Sequence, residues 1–140
     1  MERHSPQEVL AAGRAVLEPV LAPEGFEWVP GGAGHSSGGQ FASGSFVRGT
    51  RRLELHFRFS LGLVTYHVGG TSLDHESYMR VVLGGKGGNQ YPGFSSDPMD
   101  GFRHLAHDLR EFGQAFLSGS GEEFYGIALR ARAEVRKRLP

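Results

Sequence analysis

Between residues 51 and 68 apolar and polar side chains alternate almost without a break, a pattern that a helix of 3.6 residues per turn cannot bury on one side. In "RRLELHFRFS" (51–60), Leu53, Leu55, Phe57 and Phe59 point one way while Glu54, His56, Arg58 and Ser60 point the other. "LGLVTYHV" (61–68) resumes the alternation after a turn at Gly62. Pairing Phe59 with Val64, Phe57 with Tyr66 and Leu55 with Val68 sets apolar against apolar, whereas a slip of one residue sets apolar against polar. Upstream, Gly49-Thr50 suits a two-residue type II′ turn that pairs Phe46 with Leu53, Gly44 with Leu55 and Ala42 with Phe57. The expectation is a three-stranded antiparallel meander over 40–69, joined by a short strand near 26–29 ("FEWV").

The flanks read as helices. Ser5-Pro6-Gln7-Glu8 is a capping box with proline at the first helical position, and Val9, Leu10, Gly13, Val16, Leu17, Val20 and Leu21 form one stripe behind it. Pro19 should kink this helix near its end. Thr71 or Ser72 is expected to cap a short helix through "LDHESYMRVVL", stopped by Gly84-Gly85. Asp97-Pro98-Met99-Asp100 opens a longer one with the stripe Phe102, Leu105, Leu109, Phe112 and Phe116. Ser120 starts the last, which carries Phe124, Ile127, Ala128, Ala131 and Val135. The fold class is α+β, with a small antiparallel sheet and N-terminal and C-terminal helices on its apolar face. At 140 residues the chain, 1–140, is the length of a single domain.

Composition removes several chemistries. There is no cysteine, hence no disulfide framework, thiol nucleophile or thiolate metal site. Fifteen basic and fifteen acidic residues cancel, which argues against a nucleic-acid binder or an anionic membrane surface as partner. The N-terminus lacks a signal-peptide pattern and no long uncharged apolar run occurs, so the expected setting is cytoplasmic. Glycine is in excess at 22 residues, clustered in "GGAGHSSGGQFASG" (31–44) and "GGKGG" (84–88), both read as flexible connections. Neither tract carries a phosphate-binding or nucleophile-elbow pattern.

The register that matches the apolar face sets His56 directly opposite His67 on the other, with Ser43 beside His56 and Ser45 beside Glu54. Two facing imidazoles are within reach of one metal ion, zinc being the species this donor set suits, with Glu54, Asp74 or His75 as a third ligand. The competing reading is an ordinary polar sheet face. "RHLAHD" sets His104 and Asp108 four residues apart with His107 alongside, but Leu105 occupies the place where a metalloprotease helix needs its glutamate, so a solvated helix face is expected. The basic end "RARAEVRKRLP" is accounted for by the helix dipole. Tyr91, Phe94 and Phe102 in "YPGFSSDPMDGF" are expected to pin a loop over the core.

The order of elements, a first helix ending near "LEPVLAPEGF" followed by glycine-bearing strands with "GGQFASGSFVRG" and a meander, resembles small uncharacterised bacterial proteins, including immunity-type proteins of polymorphic toxin systems. The resemblance spans residues 8 to 80 in outline and implies binding of another protein rather than catalysis. The expected function is thus non-enzymatic protein binding through the polar face of the sheet, with Glu54, His56, Arg58 and His67 as binding residues, no catalytic residue and no cofactor. The alternative is a metal-dependent enzyme or small-ligand binder at the His56/His67 face. A third reading, a structural subunit, requires an exposed apolar patch and a homo-oligomer.

Overall fold

Ser5 Oγ accepts a hydrogen bond from the Glu8 backbone N–H at 3.2 Å, as the capping box requires. In the computed structural model, which describes residues 5–36, 39–58, 61–84 and 97–138, helix α1 runs Pro6–Leu21. It passes through Pro19 and ends in a single 3-10 turn, Ala22–Glu24, closed by Gly25 at φ 89°.

Five strands follow: β1 (Glu27–Ser36), β2 (Gly39–Arg48), β3 (Arg51–Phe57), β4 (Leu61–Val68) and β5 (Thr71–Asp74). They pair antiparallel in the order β1-β2-β3-β4-β5, so the sheet takes in the short strand expected near 26–29, lengthened to Ser36, and one strand, β5, that was not expected. Residues 31–36 of the glycine tract, expected as a flexible connection, are strand, as are 39–44, most of which the meander already claimed. What holds them is pairing and close approach: Ser43 Oγ accepts from Gly32 N (3.0 Å) and donates to Gly32 O (3.2 Å) across an irregularity between Pro30 and Ala33. The Trp28 ring lies over Gly44 where any Cβ would collide with it.

The β2–β3 register is as expected, with Phe46 opposite Leu53, Gly44 opposite Leu55 and Ala42 opposite Phe57. Gly49 has φ 57° while Thr50 keeps a negative φ, consistent with the type II′ turn. The β3–β4 register is not. Leu53 pairs with Tyr66, Leu55 with Val64 and Phe57 with Leu61, and Gly62 sits inside β4 at an irregularity rather than in the turn. The slide is four positions, an even number, so every apolar residue keeps its face and the apolar pattern cannot distinguish the two registers.

Thr71 and Ser72, expected to cap a helix, and Leu73 and Asp74, expected to open it, instead form β5 after a Gly69-Gly70 turn. Asp74 is the true cap of α2 (His75–Val82), accepting from Ser77 N at 3.0 Å. Helix α3 starts at Asp100 and runs to Phe112; Pro98 precedes it in a turn where Asp97 accepts from Met99 N. Gly113 breaks the expected stripe, and Phe116 falls on the short α4 (Gln114–Leu117). Ser120 Oγ accepts from Glu123 N to open α5 (Gly121–Arg138). Phe59, Ser60, Gly85, Gly87, Gly88, Tyr91 and Phe94 lie outside the described residues. Among the described residues no helix is long and apolar enough to cross a membrane.

The helices pack on the apolar side of the sheet, giving the α+β architecture. Phe46, Leu53, Leu55 and Tyr66 from the strands meet Leu17, Phe102, Leu105, Phe116 and Phe124 from the helices in one buried cluster. Arg51, on the core side of β3, donates to the carbonyls of Ala115, Phe116 and Gly119, and so satisfies the end of α4 from the sheet. Tyr78 is buried in this core and donates to Phe112 O at 2.7 Å.

Burial pushes the Tyr78 phenol up to about 12, with the charge of Glu123 adding to the shift. An unfolded tyrosine ionises near 10, so the stabilisation is complete below pH 10 and is lost as pH rises toward 12. The expected loss is about 2 kcal/mol. Thermal unfolding should show the drop between those pH values, shallower in Tyr78→Phe; an equal drop in that variant would remove Tyr78 as its source.

Candidate functional site

Because the helices of the described residues all pack on one face of the sheet, they leave the other face open. Its side chains are Glu27 and Val29 from β1, Phe41, Ser43, Ser45 and Val47 from β2, Arg52, Glu54 and His56 from β3, and Leu63, Thr65 and His67 from β4. All are partly or fully exposed except the small Ser45. The four residues singled out in the sequence, Glu54, His56, Arg58 and His67, come together on or beside this face. They do so in two groups rather than one.

At the end nearest the Gly49-Thr50 and Gly69-Gly70 turns, side chains are tied to each other. Arg52 contacts Glu54 at 3.0 Å, Glu54 lies 2.9 Å from His67 Nε2, and Ser72 Oγ stands 2.7 Å from His67 Nδ1. The hydrogen bond from His67 holds the Glu54 carboxyl below the usual carboxylate range, and Arg52 acts in the same direction. Both imidazole nitrogens of His67 are engaged, so the ring is already oriented.

At the other end His56 stacks on Phe41, with ring centroids 5.3 Å apart and planes inclined by 15°. The Arg58 guanidinium lies 6.0 Å from the centroid of the same Phe41 ring. Leu63, directly opposite His56, is 63% exposed. The result is a patch of aromatic, cationic and aliphatic surface that no helix of the described residues covers. Phe41 beside Arg58 follows from the β2–β3 register read in the sequence, whereas Leu63 was not legible as a member because the expected β3–β4 register set it next to the turn at Gly62.

The slipped register also separates the expected metal pair. His56 faces Leu63, and His67 faces Arg52. At roughly 3.3 Å per residue the two histidines lie about 13 Å apart along the strands, too far to share an ion. The third ligands proposed with them are otherwise occupied, since Glu54 binds His67, Asp74 caps α2 and His75 is buried. Among the described residues no three or more histidine, aspartate or glutamate side chains gather as a metal-holding group.

A second polar chain lies inside the core. Tyr66 Oη is 2.7 Å from His75 Nδ1, and His75 Nε2 is 2.9 Å from Asp108 Oδ2, linking β4, α2 and α3. These residues are 1%, 5% and 4% exposed, so Asp108 does not lie on a solvated helix face as the sequence suggested. Nε2–H donates to the carboxylate, and the tyrosine hydroxyl completes the ring's second nitrogen. The order tyrosine, histidine, carboxylate has the form of a proton relay, yet it is closed to substrate and accounts for itself as satisfied core polarity. No family model, curated protein or solved structure matches this chain, so its function is read from its own geometry.

Proposed function

We propose that the protein is a non-enzymatic binding protein, immunity-like and acting in the bacterial cytoplasm without a cofactor, that holds one other protein against the open face of its sheet. The observation that carries this reading is the patch of Phe41, His56, Arg58 and Leu63, where a stacked aromatic pair, an arginine and an exposed leucine are presented together. Aromatic and arginine anchors with a polar surround are the composition of binding hot spots. Glu54 and His67 form that surround, already ordered by their mutual hydrogen bond. Catalysis has less support: of the two histidine–carboxylate–hydroxyl chains among the described residues, Tyr66–His75–Asp108 is sealed in the core, and Ser72–His67–Glu54 serves to order the polar surround of the patch.

The test is quantitative affinity capture from the native cell with three baits: the wild-type chain, Arg58→Glu and Leu63→Asp. One partner recovered in near-equal amount with the wild type, and reduced about tenfold or more with each variant, is expected. Recovery of that partner by both variants at wild-type levels would contradict the assignment.

A further inference from the structure

Three side chains near the β5 edge of the open face stand in the order hydroxyl, imidazole, carboxylate. Ser72 Oγ is 2.7 Å from His67 Nδ1, and Glu54 Oε1 is 2.9 Å from His67 Nε2. The backbone explains the first contact. Gly69 N donates to Thr50 O at 3.0 Å, so His67, two residues back, also turns its backbone groups toward β3, while Val68 and Tyr66 bond to β5. His67 and Ser72 are therefore a pair without ladder hydrogen bonds, the kind in which side chains approach most closely. Glu54 meets the other nitrogen along the diagonal, and Arg52 holds its second oxygen at 3.0 Å.

An ionised carboxylate accepts and does not donate, so the Glu54 contact puts the proton of the neutral imidazole on Nε2 and leaves the Nδ1 lone pair facing the Ser72 hydroxyl. The hydrogen bond from His67 in turn favours the ionised form of Glu54. A hydroxyl on a base, with the base oriented by a third group, is the arrangement that activates a serine. In contrast to the core chain, this one opens to solvent: Ser72 is exposed and His67 is 29% exposed. Because β5 is the outermost strand, the N–H of Ser72 points away from β4 at the sheet edge, where it is one donor for a developing oxyanion.

We infer that Ser72 is a covalent acyl acceptor, activated by His67 as general base toward the carbonyl of an activated ester. Ser72 Oγ attacks the carbonyl carbon while His67 Nδ1 takes the hydroxyl proton, and Glu54 stabilises the imidazolium through Nε2–H. The bond from the carbonyl carbon to the leaving oxygen breaks, the proton passes to that oxygen, and the acyl group stays on Ser72 as an ester. A serine alkyl ester is a poorer acyl donor than the aryl ester that forms it, so the adduct accumulates. The transfer ends on the chain itself, goes beyond the binding role proposed above and requires no partner.

p-Nitrophenyl acetate tests the inference on the full chain, with nitrophenolate release followed by absorbance and the acetyl group located by peptide mass spectrometry. Wild-type chain should release one equivalent in a rapid phase and carry acetyl on Ser72. Ser72→Ala should lose the rapid phase, and His67→Gln, which keeps a polar side chain in place, should slow it about a hundredfold or more. Glu54→Gln removes the charge that positions the imidazole and should slow the phase about tenfold or more with an unchanged melting curve, a change in rate that a merely structural carboxylate would not produce. A wild-type chain that gains no acetyl on Ser72, or acetylation of Ser72 at the same rate in His67→Gln, would overturn the inference.

Discussion

Asp108→Ala is expected to cost the fold about 3–5 kcal/mol, the loss typical of removing one member of a buried polar pair. The substitution takes away the acceptor of His75 Nε2–H at a site only 4% exposed and leaves a void between α2 and α3. Asp108→Asn keeps an acceptor oxygen in place and loses only its charge, for which about 1–2 kcal/mol is expected. Tyr66→Phe deletes the far end of the chain and should cost about 1 kcal/mol. Urea unfolding midpoints order these variants. With typical domain stabilities of about 5–15 kcal/mol, the alanine variant should stand close to unfolding. An alanine variant within about 1 kcal/mol of wild type would mean that the chain of hydrogen bonds is not formed in solution.

Gly13→Ala is expected to destabilise by about 2 kcal/mol, although alanine is the better helix former by about 1 kcal/mol. Gly13 is the point where α1 crosses α3, and a Cβ there would lie far inside contact distance of the Phe102 ring. That ring is fully buried and stacks on Phe57 with centroids 5.9 Å apart, so it has no free direction in which to yield. Steric conflict therefore outweighs the gain in propensity. Thermal unfolding distinguishes the two effects by sign: a rise in Tm would show that the helices separate at no cost. Gly13→Ala with Phe102→Leu should recover part of the loss, because the smaller side chain vacates the space.

Both effects sit on residues whose roles were hidden in the sequence, and for the same reason. Gly13 was legible as a stripe position and Asp108 as a polar neighbour of Leu105, but each owes its role to an element distant in the chain. Local chemistry fared better. The Ser5 cap, the Gly49-Thr50 turn and the β2–β3 pairing followed from residues adjacent to them. The β3–β4 pairing failed because periodicity rejects odd slides and tolerates even ones, and nothing at 59–62 fixes the turn by type. The same even slide left Glu54, His56, Arg58 and His67 on the correct face and misplaced their neighbours, turning a supposed pair of histidines into two separate groups. Glycine misled for another reason. At Gly31 and Gly44 it signals close approach of the neighbouring strand and of the Trp28 ring, not freedom of the chain.

The central claim is that the open face of the sheet binds another protein, and calorimetric titration with the captured partner tests it most directly. Wild-type chain should bind one equivalent. Leu63→Asp and Arg58→Glu should each weaken binding about thirtyfold or more, the effect of losing a hot-spot residue, and Arg110→Glu on exposed α3 should leave it unchanged. Affinity retained by both face variants, or lost equally in the α3 control, would contradict the account.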